Sequence, residues 1–164
     1  ITDISSGTNG TTYEWQCANQ DGIKVHTPVI GAHHAYNITP AMLVARFLHM
    51  SEADILNGCK TLPTNIHGSY KIYSYGKATI IDDSYNANPT GFKSALDVLA
   101  KFPSDMRRIV ITRGMMELGE KSAQIHEEIG GEIAFVADGL VVITKDFFEP
   151  LFTGVGCKYH TQVK

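Results

Sequence analysis

Two adjacent carboxylates, Asp82 and Asp83, end an apolar run and open the stretch Ser84-Tyr85-Asn86-Ala87-Asn88-Pro89. Paired acids at the end of a strand can hold a ribose, a metal-bound phosphate or an ammonium group, and the two amides beside them supply donors and acceptors. The same residues have a plainer use. Asp82 and Asp83 can cap turns, and Asn88-Pro89 can simply start a helix, because Asx residues are common in turns and before helices. Residue type alone leaves both readings open.

A second loop, Arg113-Gly114-Met115-Met116-Glu117-Leu118-Gly119-Glu120, has glycines that permit tight turns and two methionines suited to filling gaps between layers. A third stretch, Ser6-Gly7-Thr8-Asn9-Gly10-Thr11-Thr12, looks like a phosphate-binding loop. That loop needs a lysine after its second glycine and a helix behind it, whereas Gly10 is followed by Thr11 and then by residues that alternate like a strand. It reads as a Gly/Asn/Ser loop leading into a hairpin. The histidines are His26, His33, His34, His49, His67, His126 and His160. Neighbouring side chains usually point apart and no third ligand stands near His33-His34, so no metal is assigned. His126, next to Glu127 and Glu128, reads as part of a solvated helix face.

These residues need elements to place them. Residues 11–18 and 23–30 read as strands joined through Asp21-Gly22. Pro40 opens an apolar helix over 41–50, since proline is tolerated in a first turn. A second helix starts at Ser51, with Asp54 in capping-box spacing, and Pro63-Thr64-Asn65 ends it. Residues 70–75 and 78–81 form strands around Gly76-Lys77. A helix from Thr90 carries Phe92, Ala95, Leu96, Leu99 and Phe102 at helical spacing. Strand 108–112, a helix from Ser122 with Ile125, Ile129, Ile133 and Val136 on one face, strand 140–144 and a short apolar segment 147–152 follow. Strand, helix, strand, helix, strand at this spacing predicts a right-handed parallel α/β unit.

The bulk properties agree. The 164 residues are 43% hydrophobic and 19% charged with net charge −3, which predicts a packed core. No basic block points to nucleic acid, and no apolar run is long enough to span a membrane. Cys17, Cys59 and Cys157 match neither a disulfide framework nor a zinc site, which favours a reducing cytoplasm. The absence of an initiating Met reads as a piece of a longer chain.

The string Asp82 to Pro89, the following helix with Ala95-Leu96, and then Arg107 to Ser122 with His126 beyond resemble the Mur ligase family. Upstream, Gly31-Ala32-His33-His34-Ala35-Tyr36-Asn37 is similar to that family's Gly-x-His-Asn-x-x-Asn segment. The resemblance implies an α/β fold. Residues 1–68 would be the end of a central ATP-binding domain, a β-hairpin plus two helices. Residues 69–164 would be a C-terminal Rossmann-like domain with a parallel sheet and flanking helices, in which "VGCKYHTQVK" would be one more strand. It implies a monomeric enzyme that uses ATP and Mg²⁺ to activate the carboxylate of a UDP-N-acetylmuramoyl tripeptide as an acyl phosphate, which the amine of D-alanyl-D-alanine attacks. The family's P-loop and acidic magnesium ligand would lie outside this chain, which alone would not turn over ATP. Asn37 would bond the adenine with His34 beside it, Asp83 would meet the ribose, and Tyr85, Asn86 and Asn88 would approach the nucleotide or the incoming dipeptide. For Asn37 the plainer use is a helix N-cap.

Three departures from the family pattern stand out. His34 replaces an Asn, Gly68 or Ser69 stands where an arginine is usual, and Arg113 stands where a proline is usual. Loss of the arginine removes a fixed positive charge. Two alternatives therefore accompany the ligase reading: a non-catalytic binding module that keeps the fold, and a ligase of folylpolyglutamate or cyanophycin type. Tyr85 in "DDSYNANP" speaks against the second.

Overall fold

The computed structural model describes residues 1–17, 21–64 and 70–156. Residues 65–69, with Gly68 and Ser69, lie outside them, and so does most of the expected last strand 155–164; its first residue, Val155, is the last residue of a helix instead. The chain divides into two compact units, Ile1–Ser84 and Tyr85–Lys164.

The first unit begins with a three-stranded antiparallel sheet in the order β1 (Thr2–Gly7), β2 (Gly10–Trp15), β3 (Ile23–Thr27). Alternation along β2 sets its faces: Thr11, Tyr13 and Trp15 are buried, while Thr12 and Glu14 between them are half-buried. The look-alike phosphate loop is the β1–β2 turn. Gly7 pairs with Gly10 across Thr8-Asn9, and a side chain on Gly10 (φ 111°) would run into the Thr27 carbonyl. The sequence reading had no strand before this turn; β1 adds one.

The stretch also has a second task. The buried Ser6 and Thr11 hydroxyls lie 2.9 Å apart and hold the Gly31 peptide from both sides. Ser6 Oγ accepts from the Gly31 N–H at 2.8 Å, and Thr11 Oγ1 donates to the Gly31 carbonyl at 3.3 Å. Gly31 (φ 124°) stands just before Ala32, the N-cap of α1 (His33–Phe47). That helix starts well before the expected residue 41 and carries Pro40 in its interior. The pinned Gly31 fixes where it starts, so proline's missing N–H falls in mid-helix. α2 (Glu52–Lys60) begins at Ser51, whose Oγ accepts from the Asp54 N–H at 3.1 Å, as the capping spacing predicted. Tyr13, Trp15, Val25, Ala35, Met42, Ile55 and Cys59 form the core between sheet and helices. Full burial of one such large side chain stabilises by about 1.5–3 kcal/mol.

The hairpin β4 (Lys71–Tyr75) and β5 (Ala78–Asp82) turns at Gly76-Lys77, with Tyr75 opposite Ala78 and Lys71 opposite Asp82. This corrects one topological expectation. β5 was to be the first parallel strand; its ladder among the described residues is antiparallel, with β4.

In the second unit, α3 (Pro89–Ala100), β6 (Ile109–Thr112), α4 (Ser122–Val136), β7 (Gly139–Val142) and α5 (Phe148–Val155) follow one another. A 3-10 turn, Gly119–Lys121, leads into α4. β6 and β7 pair in parallel, with Ile111 opposite Val141. Leu96, Met115, Ile129, Ile133, Ala137 and Leu151 form the core, with Val110, Leu140 and Val142 against it. The short apolar segment is a helix, and its approach to α4 is glycine-limited. A Cβ on Gly130 would meet the Leu151 carbonyl, and one on Gly154 the Glu127 carbonyl. At the opposite end of the strands from the loops, the Arg108 guanidinium donates to the Phe102 carbonyl at 3.0 Å and the Val136 carbonyl at 3.4 Å. It thereby serves the last carbonyl of α4 and ties it to the segment that follows α3.

Candidate functional site

Asp82 and Asp83 behave differently although they are neighbours. Asp82 Oδ1 accepts from the Ser84 hydroxyl at 2.6 Å and the Ser84 N–H at 3.1 Å, which lowers its pKa. It closes an Asx turn, the plainer of its two expected uses. Asp83 has no hydrogen-bond donor among the described residues. Burial, and then the charge of Asp82, raise its pKa to about 6. A half-buried carboxylate short of donors suits a ligand that brings hydroxyl or ammonium protons.

Asn88 is the N-cap of α3: its Oδ1 accepts from the Gly91 N–H at 2.9 Å, and Pro89 follows at the first helical position. Tyr85 is 70% exposed, and Asn86 is exposed.

His34 and Asn37 lie on α1. Asn37 is exposed inside the helix, so it is not the N-cap; Ala32 holds that place. Its amide is open to solvent. His34 is only 7% exposed and its Nε2 has no partner among the described residues. The rings of His33 and His34 stand 4.1 Å apart and tilted by 40°, rather than pointing apart as expected. Burial and then His33 push the His34 pKa down to about 4, and burial lowers that of His33. Both are neutral at pH 7. No group of three or more His, Cys, Asp or Glu among the described residues could hold a metal. His34, Asn37 and Asp83 thus belong to the first unit, and Tyr85, Asn86 and Asn88 to the second.

The loop after β6 is braced rather than loose. Thr112 Oγ1 accepts from the Gly114 N–H at 2.9 Å, Thr144 Oγ1 donates to the Arg113 carbonyl at 3.0 Å, and the Met115 N–H donates to His126 Nε2 at 2.9 Å. Met115 is buried and fills the core as expected, whereas Met116 is 55% exposed and lies 3.6 Å from Arg113 Nη2. His126 is fully buried, which overturns its reading as solvated. The signal was present: 126, 129, 130 and 133 share one helical face, and they are the buried set of α4.

The fold is mixed α/β with a parallel sheet and flanking helices, and comparison with known proteins places it. Residues 71–153, half of the chain, match the Mur ligase, glutamate ligase domain, and the chain belongs to the Mur ligase family. It is 34% identical over 113 residues to the UDP-N-acetylmuramoyl-tripeptide--D-alanyl-D-alanine ligase of Rickettsia prowazekii, covering 68% of this chain and 24% of that protein. The ligase of the same name from Haemophilus influenzae is 31% identical over 122 residues, covering 74% and 26%. Among solved structures, MurF from Acinetobacter baumannii aligns with 93% of this chain and 33% of its own at TM-score 0.76 and 27% identity. MurF ligase from Thermotoga maritima, solved in complex with ADP, aligns over 92% and 34% at TM-score 0.68 and 26% identity. The chain spans about a quarter of the curated relatives and a third of the solved chains.

Proposed function

We propose that this chain is part of an ATP-dependent amide ligase that joins D-alanyl-D-alanine to a UDP-N-acetylmuramoyl tripeptide in peptidoglycan synthesis. The likeness to relatives that carry this name, at 34% and 31% identity, supports the reading most directly. The donor-poor Asp83 at the end of β5 supports it independently. In this reading residues 1–68 come from the central domain and 69–164 from the C-terminal domain, in a monomeric cytoplasmic enzyme. No helix among the described residues is long and apolar enough to cross a membrane.

ATP fits the residues present. Asp83 would accept from the ribose hydroxyls, which supply the protons its environment lacks. The exposed Asn37 amide would offer a donor and an acceptor to the adenine edge, with His34 behind it. Tyr85, Asn86 and Asn88 would contribute to the surface that receives the substrates, Asn88 with only the part of its amide that the Gly91 N–H leaves open. When bound, ATP supplies the phosphoryl group that makes the tripeptide carboxylate reactive toward an amine. Mg²⁺ accompanies it, and no residue of this chain is assigned to the metal. The chain's own part is positioning, the dominant contribution in phosphoryl-transfer chemistry.

The test is nucleotide binding and turnover by the complete polypeptide. ADP release dependent on both the tripeptide and the dipeptide supports the ligase. Nucleotide binding without turnover by any acceptor supports a binding module instead.

A further inference from the structure

We propose that His126 is a positioning residue: a neutral imidazole that clamps the Met115 peptide and so fixes the Arg113–Leu118 loop beyond the carboxyl end of β6. The proposal rests on the ligase reading for the role of the loop, but its geometry stands apart from it.

The clamp is defined at both ring nitrogens. The Met115 N–H can only donate, so His126 Nε2 is the unprotonated nitrogen, at 2.9 Å. Nδ1 then carries the proton and donates to the Ser122 carbonyl one turn back in α4, at 2.7 Å. Phe147, just ahead of α5, stacks on the imidazole with ring centroids 4.4 Å apart and planes 4° from parallel. The same Phe147 fills the space where a Cβ on Gly114 would lie. Loop, α4 and the start of α5 are therefore locked through one ring.

A core position alone does not call for this residue. Leu, Met or Phe would fill similar volume with no polar atom to satisfy, and burying an imidazole is tolerated here because both nitrogens find backbone partners. What the histidine adds is a fixed address for the loop. The loop needs one. Glu117 (φ 63°) is a non-glycine residue in left-handed backbone, which persists where the surroundings hold it. Arg113, Met116 and Glu117 are exposed, at the strand end where parallel α/β sheets receive ligands. Rigid presentation of those three side chains is the work assigned to His126.

The experiment compares wild-type complete ligase with His126→Phe, which keeps the stack and removes the acceptor, and His126→Gln, whose side-chain oxygen reaches about as far as Nε2. Amide hydrogen exchange of 113–118 and steady-state kinetics are read together. The Phe variant is expected to exchange at Met115 about tenfold faster or more, and to raise KM for at least one substrate about tenfold with a much smaller change in kcat; the Gln variant restores both to within about twofold. Unchanged exchange and KM in the Phe variant, or no rescue by Gln in a folded protein, overturns the proposal. Should the Phe variant fail to fold, wild type decides. Met115 must exchange far more slowly than the exposed Met116 and Glu117, and equal rates overturn the clamp. If the complete polypeptide ligates nothing, the proposed function fails, and the exchange comparison still decides the clamp.

Discussion

Asp82 and Asp83 are adjacent in sequence, yet their proton affinities are driven in opposite directions. Ser84 donates two hydrogen bonds to Asp82 and lowers its pKa, while burial and the Asp82 charge raise that of Asp83 to about 6. One acid shapes the turn, and the other is left with an unmet demand for protons.

That demand has a sign. The Asp83 pKa is raised above the unfolded value of about 3.9, so the native state binds more protons between those limits. Its contribution to stability therefore falls as pH rises from about 4 to 6 and stays unfavourable above. Asp83→Asn should raise the melting temperature of the ligand-free protein at pH 7 and leave it nearly unchanged at pH 4. In the ligase it should raise KM for ATP about tenfold, the cost of one charge-assisted hydrogen bond. Melting curves across pH and ATP titrations check the two halves separately.

His34 acts in the other direction. Its folded pKa of about 4 lies below the unfolded value of about 6.5, so stability present above pH 6.5 is lost as pH falls toward 4. The loss is on the order of 2–3 kcal/mol for so buried a ring. His34→Asn, which restores the residue usual in the family segment, should flatten this acid limb in melting curves between pH 7 and 4. A limb of undiminished steepness would assign the acid sensitivity to other groups.

Asn88 has a structural duty, and substitution can separate it from any contact with substrate. Asn88→Ala should cost about 1 kcal/mol as a lost N-cap, while Asn88→Ser retains the cap. If the amide also meets a substrate, the Ser variant keeps its stability in urea melts and still loses KM. Normal kinetics in the Ser variant would leave Asn88 a cap alone.

Arg108 ties the end of α4 to the segment after α3 through the Val136 and Phe102 carbonyls. Arg108→Met preserves the aliphatic stem and removes both bonds. It should cost roughly 2 kcal/mol in chemical denaturation, since hydrogen bonds to charged groups are worth more than neutral ones.

Much of this architecture is legible without coordinates. Gly76-Lys77 marks the turn of a hairpin, Ser51 with Asp54 marks the start of α2, and the 3.6-residue spacing of Leu96 and Leu99 or Ile129 and Ile133 marks the covered faces of α3 and α4. What escaped depends on tertiary partners. Pro40 reads locally as a helix opener, but Ser6 and Thr11, distant in sequence, pin Gly31 and set the earlier start of α1. β5 reads as a parallel strand from its place in an alternating pattern, and its ladder is with β4. His126 was obscured by its charged neighbours Glu127 and Glu128, although its phase with Ile129 and Ile133 placed it inside. Of the candidate site, the acids and amides were visible by type. Which acid is engaged by the turn and which is left without donors is a matter of hydrogen-bond geometry, and spacing does not encode it.

The most direct test of the account is the balance of ADP and amide in the complete polypeptide supplied with ATP, Mg²⁺, UDP-N-acetylmuramoyl tripeptide and D-alanyl-D-alanine. The account predicts that ADP and the new amide accumulate in equal amounts over many turnovers and that, beyond a single equivalent of ADP per enzyme, neither accumulates when the dipeptide is withheld. ADP release that ignores the dipeptide, or no ADP at all from the folded protein, would contradict it.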